Sequence, residues 1–413
     1  MFDLTINHPF LVLFTLYLLF NVGYLGLYAL AGAIQRSPNT PKSASQTIRR
    51  IAVLMPAYRE DAVIVESAQA NLHQNYPADH FDVVILADSL QPETLESLRK
   101  LPVTVVEVGF EVSSIVKSVN AGMDYLSDKH YDIAVMADAD NHMAPDFLSR
   151  INEAFDQGWR VVQGHRTAKN TNTPVAILDA VSEEINNHIF RKGHRSLGLS
   201  SALIGSGMAF EFGLLKRLMS QSDALGGFDK ELEMGILMEK IKVEYLEDVY
   251  IYDEKVQTGH VFETQRTRWI AAQFRYLRLK IRSGVAELFR GNLDYADKVF
   301  QTMLLPRLLL LGLLVCCTVI SVIVDQTLWF WIFGTQLSSL LITLYISIPA
   351  RLRRLVGWRE LVQLPVLFVR YLRSIAKYRD ARERFLHTPH GTVPLSSAGG
   401  SFMSDSSSAH RIS

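Results

Sequence analysis

Two acidic residues separated by one position, Asp138 and Asp140, carry the clearest chemical signal in the sequence. They follow the apolar run Ile133–Met136, which has the composition of a buried strand. Two carboxylates just beyond a strand can converge on one hard cation, and that cation can bridge the phosphates of a nucleotide. A solvated acidic turn is the simpler alternative, but the placement after a buried run favours a site for Mg²⁺ or Mn²⁺.

Two polar turns follow apolar runs earlier in the chain. The run Ile51–Met55 leads into Pro56, Ala57, Tyr58, Arg59 and Glu60, and the run Val83–Leu86 leads to Asp88. Ligands of open α/β sheets bind at the carboxyl ends of strands, where Asp88 could accept hydrogen bonds from a base or ribose. From these residues alone, a plain strand-to-helix turn and a helix cap are equally good explanations.

Further along, a carboxylate and a basic aromatic segment are candidates for acceptor chemistry. Asp229 opens a stretch of helical character and could remove a proton from an acceptor hydroxyl, although spacing alone favours a helix cap. Gln265, Arg268 and Trp269 lie in a basic aromatic helix. A guanidinium suits phosphate and an indole offers a flat face to a sugar, but such a helix is also typical of a membrane-interface anchor.

Composition excludes several classes of protein. The 413 residues include 42 basic and 42 acidic side chains, so no overall basic field indicates a nucleic-acid partner. The only cysteines, Cys316 and Cys317, are adjacent inside an apolar run, which excludes a disulfide framework and a cysteine-based zinc site.

The elements that must position these residues form an α/β domain at residues 51–287 with a mostly parallel sheet. Besides the apolar runs already named, Val103–Val108 reads as a strand. Helices are expected over Ala62–Gln74 and Ser113–Leu126.

Apolar segments flank this domain and predict an integral membrane protein. Residues 1–35 are expected to hold a transmembrane helix, Pro9–Ile34, followed by a basic cytosolic linker at 36–50. A cleavable signal peptide is disfavoured because no basic segment precedes the apolar run. We expect an interfacial segment at 288–303, a transmembrane hairpin at 304–350, interfacial amphipathic helices at 351–390 and a disordered tail at 391–413.

Taken in order, the motifs resemble the membrane-bound family-2 glycosyltransferases of the GT-A fold, the branch with cellulose, chitin and hyaluronan synthases. The resemblance covers about residues 51–269 and makes Asp229 the catalytic base and Asp138 with Asp140 the metal ligands. It assigns donor contacts to Pro56, Ala57, Tyr58, Glu60, Asp88, Lys117, Asp138 and Arg268, and acceptor contacts to Gly205, Ser206, Gly207, Gln265 and Trp269. The sequence departs from the family at Gly227 and Phe228, where Thr and Glu are usual, and in the short spacing from Lys117 to Asn120.

The resemblance implies an inverting, Mg²⁺- or Mn²⁺-dependent transfer of a sugar from a nucleotide-diphosphate donor, with UDP favoured. The expected acceptor is a growing polysaccharide on the cytosolic face of a membrane, which we expect to be a bacterial inner membrane. Transfer of one sugar to a lipid, and a non-catalytic subunit of an export complex, are the alternatives. Membrane lipids, a second copy and an export protein are expected partners, and nucleic acid is not. The motifs leave the identity of the sugar open.

Overall fold

The computed structural model describes residues 9–34, 47–224, 226–257 and 259–376. The tail expected at 391–413 and most of the linker expected at 36–50 lie outside these ranges. The strands are β1 Ile51–Tyr58, β2 Phe81–Asp88, β3 Thr104–Val108, β4 Ile133–Met136, β5 His142–Met143, β6 Val161–Ala168, β7 Met208–Glu211 and β8 Glu244–Asp253. The helices are α1 Pro9–Ile34, α2 Ile64–Asn71, α3 Pro92–Arg99, α4 Ile115–Tyr125, α5 Phe147–Asp156, α6 Pro174–Asn186, α7 His194–Ser196, α8 Phe212–Ser220, α9 Phe228–Met238, α10 Gly259–Phe289, α11 Leu293–Gln301, α12 Arg307–Ile323, α13 Thr327–Ser347, α14 Ala350–Arg353 and α15 Trp358–Ala376. A 3₁₀ turn at Ser127–Lys129 and a π-helix at Asn187–Gly193 complete the set.

The strands form one eight-stranded sheet in the order β3-β2-β1-β4-β7-β6-β8-β5. The first four strands of the order are parallel, as are β6 and β8, whereas β7 runs antiparallel to both of its neighbours. Alternate residues of β1 enter different apolar clusters: Leu54 packs in one and Val53 in the other. Helices therefore cover both faces of the sheet, which explains why its strands read as nearly continuous apolar runs. The expected α/β fold with a mostly parallel sheet is confirmed.

The strands that carry the candidate site extend further than the apolar runs suggest. β1 pairs with β2 residue for residue up to Tyr58 opposite Asp88. Pro56 and Ala57 therefore belong to β1, and Asp88 is the last residue of β2. β4 has the expected bounds, and Asp138 lies two residues beyond its end.

Residues 288–303 differ from the interfacial segment that the sequence suggests. Most of them form α11, which packs against α9 and α10. Tyr295 and Val299 are fully buried in the larger core cluster of the domain. Their four-residue spacing places them on one helical face, and Gly284 of α10 leaves room for Val299. The helix thus extends the domain instead of leaving it.

Four long apolar or amphipathic helices, α1, α12, α13 and α15, lie beside the domain. Two of them, α1 with 26 residues and α13 with 21, are long and apolar enough to cross a membrane. α12 is apolar but only 17 residues long. A separate apolar cluster joins α1, α12 and α13 to α6 and the π-helix. These helices are therefore packed against the domain over a continuous surface.

Close backbone packing holds α1 on the domain. A Cβ placed on Gly193 at the end of the π-helix would lie 2.2 Å from the carbonyl oxygen of Tyr28. The Tyr28 ring stacks on the His194 imidazole at 3.7 Å, and the hydroxyls of Tyr24 and Tyr28 donate to Asp297 of α11 at 2.7 and 3.1 Å. Only a glycine at position 193 permits this close approach of the two backbones, so this residue determines where α1 packs on the domain.

We expect Gly193→Ala to lower the thermal unfolding midpoint of the purified chain, because the added methyl must push α1 away from the π-helix. Gly213→Ala in α8 is the matched control, since a Cβ there meets nothing within 4 Å. Alanine is favoured over glycine in a helix by about 0.5–1 kcal/mol, so the control should unfold at the same temperature or higher. Equal midpoints for the two variants would contradict this view of the contact.

Candidate active site

One cavity of about 1800 Å³ opens at the carboxyl ends of β1, β2 and β4. It extends past the end of β8 and the start of α9 to the inner face of α10. Most of the residues that the sequence singles out line it: Pro56, Ala57, Tyr58, Glu60, Asp88, Asp138, Asp140, Gly205, Asp229, Gln265, Arg268 and Trp269. Segments far apart in the sequence thus meet at one site, as the strand-end argument predicts.

The end of the cavity formed by β1 and β2 is suited to a nucleoside. Asp88 is buried, and one of its carboxylate oxygens accepts a 2.9 Å hydrogen bond from the Ser89 hydroxyl. Its other oxygen, Oδ2, is buried and has no hydrogen-bond partner among the described residues. A buried acceptor without a donor is costly, so a ligand N–H or hydroxyl there would be favoured.

The turns after these strands are strained. Arg59 follows β1 with φ of 56° and Ser89 follows β2 with φ of 58°, both in the left-handed region. The Arg59 amide donates to the Asp88 carbonyl at 3.1 Å, which ties the two turns together. Left-handed conformations of residues other than glycine cluster at functional sites, because the surrounding structure must hold them.

Asp138 and Asp140 place carboxylate oxygens on the cavity wall beyond β4. Asp140 is buried, and its oxygens accept hydrogen bonds from the Glu254 amide at 2.8 Å and the Asn141 side chain at 3.2 Å. The Asp138 side chain is 39% exposed. Such oxygens suit Mg²⁺ or Mn²⁺. Within the described ranges no group of three or more acidic, His or Cys side chains is arranged to hold a metal, so donor phosphates and water would have to complete the coordination.

A buried network of charges supports these carboxylates. Arg166 of β6 contacts Glu183 of α6 at 3.1 Å and lies 3.7 Å from both Asp138 and Asp253. Lys255 is 2.6 Å from Asp253. Asp138 follows β4 and Asp253 ends β8, whereas Arg166 lies on β6 and Glu183 on α6. The network therefore connects the ends of β4 and β8 to β6 and α6. All five side chains line the cavity.

The pKa values of three members of this network, Arg166, Glu183 and Lys255, are shifted in the directions that keep these groups ionised. Burial lowers the pKa of Arg166, but the carboxylates of Glu183, Asp253 and Asp138 outweigh it and raise that pKa. Burial raises the pKa of Glu183, but its three cationic neighbours lower it below the usual range. The pKa of Lys255 is raised for the same reason as that of Arg166. The site therefore presents fixed, paired charges at neutral pH.

Asp229 also lines the cavity, from the first turn of α9. Gly227 precedes the helix with φ of 71°. Thr, which is usual at this position in the family that the sequence resembles, would be strained in this conformation. Glu231, two residues on, accepts a 2.6 Å hydrogen bond from the Ser222 hydroxyl and is not part of the cavity wall. Glu233 lies in the wall but is bound by Lys298 at 3.2 Å and by the Leu203 amide. Asp229 is thus the first-turn carboxylate of α9 that faces the cavity.

The α10 motif brings three side chains to the same cavity. Burial lowers the pKa of Arg268, and the carboxylate of Asp138 opposes that shift, which places the guanidinium within electrostatic reach of the acidic pair. Gln265 has a buried side-chain oxygen without a partner among the described residues. Trp269 is 40% exposed, and the Arg266 guanidinium lies 4.0 Å from its ring centre. Arg268 can thus meet a phosphate, while Gln265 can bind a hydroxyl.

Three residues assigned from the resemblance do not line the cavity. Lys117 is at the surface, and its ammonium donates to the Val112 carbonyl at 2.6 Å. Ser206 is fully buried, with its hydroxyl 3.4 Å from Arg166. Gly207 packs against Ile251, whose methyl would lie 2.5 Å from a Cβ there. Ser206 and Gly207 therefore pack behind the residues that line the cavity, and Lys117 lies away from the cavity.

Sequence reasoning missed the charged network behind the acidic pair. Arg166 and Glu183 have no local motif, because they are 17 residues apart on different elements. Asp253 did leave a signal: the acidic and basic run from Asp253 to Lys255 ends an apolar strand, as Asp138 does. Glu183 also stands out as a charge on the apolar helix α6.

Comparison with known proteins is consistent with this geometry. A profile of the family described as "Glycosyltransferase like family 2" matches residues 49–272, more than half of the chain. The probable glycosyltransferase YdaM of Bacillus subtilis (strain 168) is 21% identical over 330 residues, which cover 75% of this chain and 78% of YdaM.

One solved structure shares the overall fold. The mannosyltransferase PcManGT from Pyrobaculum calidifontis, in complex with GDP-Man and Mn²⁺, superposes with a TM-score of 0.58 at 15% identity. The match covers 89% of this chain and 99% of that one. S. aureus TarS 1-349 in complex with UDP-GlcNAc matches at a TM-score of 0.38 and 16% identity, covering 81% and 90% of the two chains.

We expect Glu183→Gln to destabilise the fold by about 3–5 kcal/mol, because it leaves Arg166, Arg191 and Lys255 buried with one carboxylate fewer. Glu211→Gln is the matched control: it breaks a half-exposed pair with Arg160 and should cost less than about 1 kcal/mol. Chemical unfolding of both variants measures the difference.

The pH dependence has a defined sign. The folded-state pKa of Glu183 is lowered, so its stabilising effect is present above the unfolded-state pKa of about 4.3 and is lost as pH falls below that value. The difference in free energy of unfolding between the parent protein and Glu183→Gln should therefore become smaller in acid. If this difference in free energy of unfolding grew below pH 4, it would contradict the lowered pKa of folded-state Glu183.

Proposed function

The chain belongs to the family-2-like glycosyltransferases and has the GT-A fold, and from this premise we propose that it performs a metal-dependent, inverting sugar transfer at a membrane. The donor is a nucleotide-diphosphate sugar and the acceptor atom is a hydroxyl oxygen. The observation that carries the proposal is the meeting of Asp88, the Asp138–Asp140 pair and Asp229 in one cavity.

The donor lies along the strand ends. Asp88 would accept from the base or ribose through its unpartnered oxygen, and Tyr58 and Glu60 lie on the adjoining wall. Asp138 and Asp140 would hold Mn²⁺ or Mg²⁺, which neutralises charge on the leaving diphosphate. The relative PcManGT was solved with GDP-Man and Mn²⁺, and the sequence resemblance favours UDP, so we propose a nucleoside diphosphate without choosing between the two bases.

The transfer is one displacement. Asp229 takes the proton from the acceptor hydroxyl as that oxygen attacks the anomeric carbon, and the bond from this carbon to the diphosphate oxygen breaks. Arg268, which lines the same cavity as Asp138, would stabilise charge on the departing nucleoside diphosphate. Attack opposite to the leaving group inverts the anomeric centre. Fixed charges and positioning supply most of the rate enhancement.

The helices beside the domain support a membrane location. α1 exposes Leu13, Leu16 and Leu19 by 50% or more, and α13 exposes Trp331 and Ile342 by more than 60%. Apolar side chains exposed over whole helices mark a membrane or partner surface. The basic residues after α1 and α13 favour a cytosolic active site, and we propose a bacterial inner membrane.

The acceptor is a growing polysaccharide or a single lipid molecule. The α10 motif, in which Gln265, Arg268 and Trp269 meet the cavity, supports the first. Of the described helices, only α1 and α13 are both long and apolar enough to cross a membrane, which supports the second. A ladder of radiolabelled products would identify a polymerising enzyme, and one lipid-soluble product a single transfer. The intact carboxylates argue against a non-catalytic subunit.

We expect Asp138→Asn and Asp140→Asn to weaken Mn²⁺ binding and sugar transfer together, because each removes a charged oxygen ligand. Electron paramagnetic resonance of Mn²⁺ titrated with UDP or GDP measures binding without turnover. Asp146→Asn is the control, since this exposed carboxylate lies in the loop just after β5. Unchanged Mn²⁺ affinity in both site variants would place the metal elsewhere.

We expect Asp229→Asn to reduce kcat by about 10²–10⁴-fold while donor affinity stays near that of the parent, because only proton removal is lost. Glu231→Gln, in the same helical turn but hydrogen-bonded to Ser222, should keep near-normal turnover. Single-turnover assays with a radiolabelled donor separate the two steps. A larger loss of turnover in Glu231→Gln than in Asp229→Asn would instead assign the role of base to Glu231.

A further inference from the structure

The cavity continues beyond the catalytic residues into an apolar groove. Its volume of about 1800 Å³ exceeds the roughly 300–1,000 Å³ of a typical small-molecule site. The far part is walled by α6, α12, α13 and α15 through Leu178, Leu308, Leu311, Leu344, Leu364 and Leu367. We name this part the leucine groove. A nucleotide sugar bound at the strand ends leaves it unused.

A cationic side chain marks the boundary between the polar cavity and the leucine groove. Arg307 begins α12, and its Nη2 donates to the backbone oxygen and the hydroxyl of Ser182 at 2.9 and 3.0 Å. Its Nη1 is buried and has no hydrogen-bond partner in the described part of the chain. No described carboxylate lies within salt-bridge distance of Arg307, whereas neighbouring Arg266 is paired with Asp179 at 2.6 Å. Arg307 thus holds an unused donor at the cavity wall.

The two features define the occupant. A buried guanidinium N–H without an acceptor favours an anion, above all a phosphate, to which it can donate. A groove of leucine side chains favours a hydrocarbon chain, because a glycan would bury hydroxyls there without partners. The occupant must also present a hydroxyl to Asp229, which lines the same cavity.

We propose that the acceptor is an anionic lipid, whose phosphate binds at Arg307 and whose hydrocarbon chain lies in the leucine groove. This inference rests on the proposed transferase activity and narrows its acceptor class. The head-group hydroxyl extends from the phosphate towards Asp229 and the donor. The chain enters between α12, α13 and α15, the helices whose outer faces carry exposed apolar residues.

Three probes that differ in one property each test the proposal on the full chain in a neutral detergent. Phosphatidylglycerol has a phosphate, hydroxyls and chains; diacylglycerol lacks the phosphate; glycerophosphoglycerol lacks the chains. Competition against a fluorescent phosphatidylglycerol gives each affinity. We expect phosphatidylglycerol to bind at least about tenfold more tightly than either other probe, because it alone offers both a phosphate to Arg307 and hydrocarbon chains to the leucine groove.

Arg307→Gln should remove the preference for phosphatidylglycerol over diacylglycerol, and Arg307→Lys should retain part of it. Arg354→Gln, which removes an exposed arginine after α13, is the matched control and should keep the full preference. Leu344→Trp should fill the groove and weaken both lipids, whereas Ile342→Trp, at an outward-facing position 61% exposed, should weaken neither.

Equal affinity for the anionic and neutral lipids, or equal behaviour of Arg307→Gln and Arg354→Gln, would overturn the proposal. Binding of glycerophosphoglycerol as tight as that of phosphatidylglycerol would identify a soluble phosphate ligand and overturn it as well. UDP and GDP affinities with Mn²⁺, measured on the same samples, report on the donor site. A parent protein that shows no lipid preference but binds the donor refutes the lipid site alone, and a parent protein that does not bind the donor refutes the transferase proposal.

Discussion

The buried guanidinium of Arg166 is the interaction on which the rest of the site depends. A cation removed from water is stable only when carboxylates surround it, and Arg166 has Glu183, Asp138 and Asp253 within 3.7 Å. These three carboxylates belong to α6, to the turn after β4 and to the end of β8. Each element must therefore take its place for the charge to be compensated, and the acidic pair is fixed before any ligand binds.

This constraint explains how the strand ends become a site. β4 ends four residues before Asp140, so the acidic turn would be free to move without support from behind. The Glu254 amide holds Asp140 on one side, and Arg166 lies against Asp138 on the other. The strained turns at Arg59 and Ser89 are held by the residue-for-residue pairing of β1 with β2. The groups that we propose to meet the diphosphate and the nucleoside thus lie at or just beyond the ends of paired strands, which would limit reorganisation during transfer.

The sequence predicts what is encoded locally. The apolar runs identify β1 to β4, their polar ends identify Asp88, Asp138 and Asp140, and the apolar span from Pro9 to Ile34 identifies α1 with its observed bounds. The pairing of Arg166 with Glu183 and with Asp253 depends on how β6, α6 and β8 pack. No spacing rule connects such partners, because a salt bridge across elements leaves no period in the chain.

The same limit applies to α11, which the sequence presents as an interfacial segment. Its apolar residues are too few to distinguish a domain face from a membrane face. Tyr295 and Val299 are buried only because α9 and α10 provide a surface for them. Burial of a short amphipathic helix is decided by its neighbours, so periodicity reveals the helix but not its partner.

Two consecutive glutamates of α6 connect the catalytic chemistry to the apolar helices. Glu183 faces the charged network, whereas Glu184 accepts from Thr167 and from Arg351, both at 2.7 Å. Arg351 lies in α14, just after α13. Its hydrogen bond to Glu184 therefore connects the end of α13 to α6, the helix whose Glu183 contacts Arg166. A rotation of α6 would break both sets of contacts at once. The proposed donor site and the apolar helices therefore keep a fixed relation, which is what the proposed transfer from a water-soluble donor to an acceptor at a membrane would require.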